Sequence, residues 1–589
     1  MTLAEKVGQM TQVEKNSITP DQVAEFSIGS VLSGGGGNPT PNTASDWRAM
    51  VESFLAGALR SRLRIPLLYG TDAVHGHSNV VGATIFPHNI GLGAAGDPDL
   101  VEAVYRAAAL ETTATGSLWM FAPTLAVALD PRWGRTYEAF GDDPELVSEL
   151  GTAAVRGIIG PDRTASGAAL ATIKHFVGDG GTGWGSVRPA PWIDFWDEWS
   201  ENWKIDQGDT EIDEATLRRV HMAPYPPGIA AGALSAMASY SSWNGAKLHG
   251  HKYLLTDVLK GELGFEGFVV SDWLGLAQLA EDPYDQVVAG INAGIDMVMV
   301  PMEFESFIES LIKAVEAGDV SLDRVDDAVR RILLVKHAIA LFEPQRRPKP
   351  SLEVVGCDAH RALAREAVAK SAVLLKNRSD ALPLDGESVL VAGLGAHDIG
   401  TQCGGWTIDW QGSAGPITPG TTLVEALEQS GMGIAYTLDG QLATDEQFGT
   451  GVVVVGEAPY TEGFGDTERL ELSDADVELV ARIRERVATL VLVVISGRPL
   501  VLNQVEASCD AIVAAWLPGT EGAGLADVLV GDVPFTGKLP RRWPRSADHV
   551  VDPAGDWTTD WDRGFGLRTV GVDPSRNRGT IEAGKSDRP

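Results

Sequence analysis

Four carboxylates in this chain stand where nucleophilic or proton-transfer chemistry could be done. One closes the run Gly267-Phe-Val-Val-Ser-Asp-Trp273, in which a short apolar stretch of strand character ends in Asp272 and an indole follows at once. The other three, Glu457, Glu462 and Asp466, share a Gly/Pro loop leaving the run Val452-Val-Val-Val-Gly456, with Tyr460 and Phe464 interleaved. Taken singly, an aspartate at a strand end caps the helix that follows, and an acidic loop is a solvated surface. Taken together, a carboxylate beside an aromatic wall fits sugar chemistry, and a second carboxylate from a distant loop would complete a two-carboxylate site for general acid and base work. Such a site would lie at an interface between domains, where pockets tend to form.

Other polar residues recur at the ends of short apolar runs: Asp72-Ala-Val-His75, Lys174-His175, Ser239-Tyr240 and Ser271-Asp272-Trp273. The runs that precede them read as strands over residues 28–32, 66–70, 118–123, 168–176, 235–241, 267–271 and 296–300, with helical segments between. Near-continuous apolar strands alternating with helices predict parallel α/β architecture. Polar side chains at the carboxyl ends of strands from distant parts of a chain are the pattern of a (β/α)8, TIM-like barrel with its site at the strand ends. Thr2 and Glu5 have capping-box spacing, so a helix is expected to begin at once.

After this comes Pro344-Gln-Arg-Arg-Pro-Lys-Pro350, which reads as a linker. A helix over 359–372 and strands over 373–376, 389–393, 452–456, 490–495 and 511–516 then predict a second, smaller α/β domain. The expected organisation is a barrel over 1–343, a linker over 344–358, an α/β domain over 359–571 and a frayed tail over 572–589.

Composition narrows the function. Asp and Glu number 80 against 47 Lys and Arg, a net charge of −33 that disfavours nucleic acid and anionic membrane surfaces as partners. Hydrophobic residues at 44% suit a folded chain, and no apolar run is long enough for a membrane helix. The Met-Thr-Leu-Ala-Glu start carries no signal-peptide pattern, so the chain is expected to be either cytoplasmic or, if a signal was removed, secreted or periplasmic. Three cysteines, none in a CxxC pair, exclude a disulfide scaffold or zinc ribbon. Gly34-Gly-Gly-Gly37 lacks the ending of a phosphate loop, and Gly393-Leu-Gly395 lacks the third glycine of a dinucleotide fingerprint. His75 and His77 have no third ligand at motif spacing, and hydrogen-bonding roles at a barrel rim are expected of them. Five of the sixteen tryptophans fall within residues 184–203, either as a loop tucked down by its indoles or as an aromatic wall for a sugar.

These runs together resemble the glycoside hydrolase family 3 β-glucosidases, and most closely the plant and bacterial exo-acting 1,3/1,4-β-glucan glucohydrolases. The matching segments are Tyr-Gly-Thr-Asp-Ala-Val-His-Gly-His at 69–77, Asp-Pro-Arg-Trp-Gly-Arg at 130–135, Lys-His-Phe-Val-Gly-Asp-Gly-Gly at 174–181, Ser-Tyr-Ser-Ser-Trp-Asn-Gly at 239–245 and Ser-Asp-Trp at 271–273. Gly-Gly-Trp-Thr-Ile-Asp-Trp at 404–410 and Gly-Glu-Ala-Pro-Tyr-Thr-Glu at 456–462 carry the match into the second domain.

The resemblance implies a TIM-like barrel followed by a six-stranded α/β sandwich, with the pocket between them. It places the nucleophile on Asp272 and the acid/base on Glu462. It assigns the hydroxyls of the terminal glucose to Asp72, Arg135, Lys174, His175 and Tyr240, and the clamp on the next sugar to Trp273 and Trp410. Implied is a retaining exo-β-glucosidase acting on β-linked gluco-oligosaccharides or aryl and alkyl β-glucosides, with no metal or organic cofactor. Lys174, His175 and Arg135 would then keep Asp272 ionised, and burial among acidic neighbours would keep Glu462 protonated. The same family also holds β-xylosidases and N-acetyl-β-glucosaminidases; the latter keep their acid/base on a barrel loop, which the Glu462 loop argues against. A catalytically silent carbohydrate-binding protein is a further alternative, and retention of both carboxylates speaks against it. Departures from the pattern are the segment 184–203, which looks inserted, a short start, and Gln278 where an arginine is expected. These bear on the acceptor side of the pocket.

Overall fold

The computed structural model describes residues 1–188, 190, 202–385, 388–443, 445–546 and 559–569. The expected tail therefore lies outside the described residues, as do Trp192, Trp196 and Trp199.

Eight strands form the first sheet: β1 (Thr11–Glu14), β2 (Ser30–Ser33), β3 (Leu68–Thr71), β4 (Trp119–Met120), β5 (Leu170–Phe176), β6 (Ser235–Ala238), β7 (Phe268–Val270) and β8 (Val298–Met299). All pairings are parallel, in the order β7-β6-β5-β4-β3-β2-β1-β8. A parallel bridge from Val270 to Met297 brings the two ends together, so the sheet curls into a near-closed barrel. Seven of its strands coincide with the apolar runs of the sequence. The eighth, β1, does not read as a strand because Thr-Gln-Val-Glu is mostly polar, yet all four residues are buried. Part of this polarity is paired inside the barrel: Gln12 Nε2 donates to Ser30 Oγ at 2.8 Å, and Ser30 Oγ to the Leu68 carbonyl at 2.7 Å. The first helix, Leu3–Gln9, carries the capping box expected of Thr2 and Glu5.

The second sheet has six strands: β9 (Val373–Asn377), β10 (Ser388–Ala392), β11 (Gly433–Thr437), β12 (Phe448–Gly456), β13 (Val487–Ile495) and β14 (Ala511–Trp516). Their order is β9-β14-β13-β12-β10-β11, parallel except for β9. Val452–Val455 and Val491–Val494 are buried, as expected of central strands covered on both faces. The edge strand β11 is missing from the sequence reading because only one side is paired and most of it is half-exposed, leaving no apolar run to see.

The stretch between the sheets is not a loose tether. Arg48 Nη2 donates to the Pro350 carbonyl at 2.6 Å, and Arg347 Nη1 to the Ile339 carbonyl at 2.9 Å. Helix Asp358–Ser371 then spans both bodies: Ala364 and Ala367 pack with the barrel core, Val368 and Ala369 with the second core. Direct bonds join the two as well, among them Tyr137 Oη to the Tyr460 carbonyl at 2.7 Å and His88 Nε2 to the Gly405 carbonyl at 3.0 Å. At Gly134 the approach is so close that an added Cβ would lie 1.8 Å from the Glu462 carbonyl oxygen, so only glycine fits there.

Candidate active site

The nine residues singled out in the sequence line one cavity of about 340 Å³ between the barrel's strand ends and the loops of the second sheet. The barrel supplies seven. Asp72 follows β3, Arg135 lies on the loop after β4, Lys174 and His175 sit near the end of β5, Tyr240 follows β6, and Asp272 and Trp273 follow β7. Trp410 arrives on the loop after β10 and Glu462 on the loop after β12.

Arg135 is the hub. Its Nε and Nη2 grip Glu138 in a two-pronged pair at 2.9 Å each, Nη2 reaches His175 Nε2 at 3.1 Å, and Nη1 lies 3.4 Å from Glu462 Oε1. Because arginine only donates, His175 Nε2 accepts, and the ring proton sits on Nδ1, which donates to Asp179 Oδ2 at 2.8 Å. Burial, with Arg135 and Lys174 beside it, drives the imidazole pKa well below its usual value. His175 is therefore neutral, and its 3.7 Å approach to Asp272 Oδ2 is not an ion pair. This corrects one expectation: His175 contributes no charge towards ionising Asp272. Arg135 and Lys174 do pull the Asp272 carboxyl down, but burial outweighs them and the net direction is up. Asp272 is fixed by the backbone, its Oδ1 accepting from Trp273 N at 2.7 Å while its own N–H donates to His249 Nε2 at 2.9 Å.

Lys174 Nζ lies 3.8 Å from Asp72 Oδ1. Burial pushes Asp72 up to about 6, with Lys174 opposing and the Asp272 charge assisting. Tyr240 Oη donates to the Trp273 carbonyl, tying the strand end of β6 to that of β7.

The three acidic residues of the β12 loop separate by their partners. Glu457 is paired with Arg498 Nε at 2.9 Å and also accepts from Tyr460 Oη at 2.9 Å and Gly497 N at 3.1 Å. Asp466 is a staple: Oδ1 accepts from Gly134 N at 2.9 Å, and Oδ2 from the backbone N–H groups of Lys204, Ile205 and Asp206 at 2.9, 2.9 and 2.8 Å. Among the three, Glu462 alone lines the cavity. Its backbone holds a left-handed conformation, φ 51°. Burial raises its carboxyl pKa far above the ordinary range; Arg135 opposes, and Asp206, Asp272 and Glu138 add to the rise. Burial thus raises both carboxyl groups of the cavity, Glu462 far above its ordinary range, while Arg135 and Lys174 oppose the rise at Asp272.

Trp273 and Trp410 stand on either side of the loop after β2. A Cβ on Gly34 would lie 3.1 Å from Trp273 Cζ3, and one on Gly35 2.6 Å from Trp410 Cα. The glycine run that is useless for phosphate here lets the Trp273 ring and the Trp410 backbone come close to the chain. Phe464 meets Trp410 edge-on at 5.6 Å and Trp203 at 6.3 Å, which brings Trp203 onto the cavity wall. Trp184 instead lies beneath Arg132 at 4.9 Å. Gln278, where an arginine was expected, donates to Gln207 Oε1 at 2.8 Å, so this corner of the cavity is closed by a neutral pair.

His75 and His77 both bond as rim residues. His75 Nδ1 reaches the Phe86 carbonyl at 3.0 Å and its ring stacks on His88 at 3.6 Å; His77 Nε2 reaches Thr115 Oγ1 at 2.8 Å. Among the described residues no group of three His, Cys, Asp or Glu is arranged to hold a metal ion.

Sequence reasoning missed Glu138, Asp179, Asp206 and Trp406. All four are buried, and Asp206 and Trp406 act through partners far away in the chain; Trp406 lines the cavity while its Nε1 donates to Glu138 Oε1 at 2.9 Å. A signal did exist for Asp179, four residues after His175 in the Lys-His-Phe-Val-Gly-Asp run.

Comparison with known proteins gives a consistent picture. The model of the glycosyl hydrolase family 3 N terminal domain matches residues 2–335, and that of the glycosyl hydrolase family 3 C-terminal domain matches residues 372–569. A lysosomal beta glucosidase of Dictyostelium discoideum is 32% identical over 94% of this chain and 72% of its own length. The crystal structure of an exo-1,3/1,4-beta-glucanase from a Pseudoalteromonas species superposes with a TM-score of 0.88 at 41% identity, covering 96% of this chain and 73% of that one. A mutant beta-glucosidase from Listeria innocua, solved in complex with laminaribiose, superposes with a TM-score of 0.78 at 27% identity, covering 93% and 76%.

Proposed function

Since this chain belongs to glycosyl hydrolase family 3 and is a glycoside hydrolase, we propose that it is a retaining, exo-acting β-glucosidase that removes glucose from the non-reducing end of β-glucosides and β-gluco-oligosaccharides. The observation that carries this reading is the sorting of carboxylates. Asp272 from the barrel and Glu462 from the second sheet line the same cavity, while Glu457 and Asp466 are spent on structural bonds.

In this reading a β-glucoside enters with its terminal ring among Asp72, Arg135, Lys174, His175 and Tyr240. Charged and neutral hydrogen-bonding groups in a buried pocket hold sugar hydroxyls in one orientation. Asp272 attacks the anomeric carbon from below as Glu462 protonates the departing oxygen, giving an inverted glucosyl–Asp272 ester. The leaving sugar or aglycone departs between Trp273 and Trp410. Glu462, now ionised, takes a proton from water, which attacks the same carbon and inverts it again, so β-glucose is released. The reading draws support from the laminaribiose bound to the Listeria relative and from the exo-glucanase activity named for the Pseudoalteromonas structure.

Removal of a general acid matters in proportion to how badly the leaving group needs a proton. Glu462→Ala should cripple hydrolysis of laminaribiose, while a dinitrophenyl glucoside still forms the ester and then stalls. Azide needs no deprotonation, so it should restore turnover and yield β-glucosyl azide. Rescue in Glu457→Ala and not in Glu462→Ala would overturn the assignment.

A further inference from the structure

Arg135 presents a difficulty for the mechanism. Its Nη1 is 3.4 Å from Glu462 Oε1, and a guanidinium at that range favours the ionised carboxylate. A general acid so placed loses its proton unless other groups offset the cation. Glu138 does part of this with its two-pronged grip on Arg135, and Asp272 adds a second negative charge across the cavity. A third group lies on a different element. Asp206 is buried on the segment that follows Trp203, and that segment packs directly on the acid/base loop: its three successive N–H groups hold Asp466, and a Cβ on Gly463 would lie 2.0 Å from the Trp203 ring.

The Asp206 side chain is also oriented. Oδ1 accepts from Trp133 Nε1 at 2.9 Å, and Trp133 belongs to the same loop as Arg135. Oδ2 is buried and has no hydrogen-bond partner among the described residues. A buried carboxylate oxygen left without a donor is costly, and such groups need an explanation. The neighbouring charges do not remove it. Lys247 Nζ donates to the Gln207 and Tyr240 carbonyls at 3.2 and 2.8 Å and makes no bond to Oδ2, Asp179 is held by His175, and Asp466 by four N–H groups.

We propose that Asp206 is a positioning residue for the acid/base: its buried carboxyl group, held by Trp133 against the Glu462 loop, offsets the Arg135 guanidinium so that Glu462 keeps its proton until the leaving group takes it. Glu462 and Asp206 then titrate as a pair: the first proton leaves Asp206, and the second ionisation, which takes the proton from Glu462, sets the upper pH limit of leaving-group protonation. The inference rests on Glu462 being the acid/base.

Asp206→Asn isolates the charge, because the amide oxygen can still accept from Trp133. The test is the pH dependence of kcat/KM on two substrates, alongside the thermal midpoint of each variant. For laminaribiose, the alkaline limb should move down by about one pH unit, a shift of the size one neighbouring charge produces. For a dinitrophenyl glucoside, which departs unaided, kcat/KM should keep its wild-type alkaline limb. Asp206→Ser gives the same readout if the amide variant folds poorly. A uniform loss of activity with the limb in place, in whichever variant folds, would make Asp206 structural and overturn the inference. Azide rescue of Glu462→Ala distinguishes the two levels: rescue with an unmoved limb in Asp206→Asn overturns this inference alone, and failed rescue overturns the acid/base reading and this inference with it.

Discussion

Arg135, on a barrel loop, lies 3.4 Å from Glu462, on a loop of the second sheet, and in the same fork of donors it is locked to Glu138. One side chain thus spans the two bodies at the point where their residues share a cavity. A change in how the barrel and the second sheet sit would alter this contact, which holds Arg135 between two carboxyl groups from different bodies.

Arg135→Met should therefore cost stability as well as activity. It leaves Glu138 buried without its paired guanidinium, and breaking a buried pair on one side typically costs about 3–5 kcal/mol. Denaturant unfolding of the variant checks this. A midpoint equal to wild type would mean that Glu138 finds another partner or takes up a proton at no cost.

The pH profile of kcat/KM on laminaribiose should be a bell shifted upwards as a whole. The active form has Asp272 ionised and Glu462 protonated. Burial raises both groups, so the acid limb, where Asp272 takes a proton, lies above the ordinary aspartate value, and the alkaline limb, where Glu462 loses one, lies well above the ordinary glutamate value. An alkaline limb at about 4–5, the range of an unperturbed carboxyl group, would contradict the electrostatics described here.

Asp466→Ala should damage the enzyme without the signature of a lost proton donor. Its carboxylate satisfies four backbone N–H groups drawn from two separate barrel segments, and unpaired buried N–H groups are expensive. The variant should melt earlier, lose activity on good and poor leaving groups alike, and show no rescue by azide. A selective loss on laminaribiose with azide rescue would transfer the proton donor to Asp466.

Trp410→Ala should hurt disaccharides more than aryl glucosides, which bring their own aromatic leaving group. Stacking against one ring face is worth roughly 1–3 kcal/mol when bases on aromatic side chains are the guide. Comparing kcat/KM for laminaribiose and a nitrophenyl glucoside checks this. Equal losses would assign Trp410 a purely structural role against Phe464 and Gly35.

How much of this was legible follows from where each residue gets its partners. Asp72, Lys174, His175, Tyr240 and Asp272 announce themselves because each ends a short apolar run, and a parallel barrel gathers strand ends at one rim. The barrel and the second sheet are readable for the same reason. Strand β1 hides because three of its four buried side chains are polar, a pattern that has no hydrophobic period. Glu138 and Asp206 hide because nothing in their local sequence marks them; Trp133 and Trp406 give them meaning only once the loops have met. On the β12 loop the sequence offers three equivalent carboxylates, and it is Arg498, Gly134 and residues 204–206 that set Glu457 and Asp466 apart from Glu462.

Trapping the covalent intermediate tests double displacement at Asp272 most directly. A 2-deoxy-2-fluoro-β-glucoside with a good leaving group slows both steps by withdrawing electrons from an oxocarbenium-like transition state, and the activated leaving group lets the first step proceed. Incubated with the enzyme, digested and mapped by mass spectrometry, it should leave one fluoroglucosyl group on the peptide containing Asp272, and none in Asp272→Asn. A label on Glu462, Asp206 or any other carboxylate, or turnover with inverted product and no labelled peptide at all, would contradict the double-displacement account.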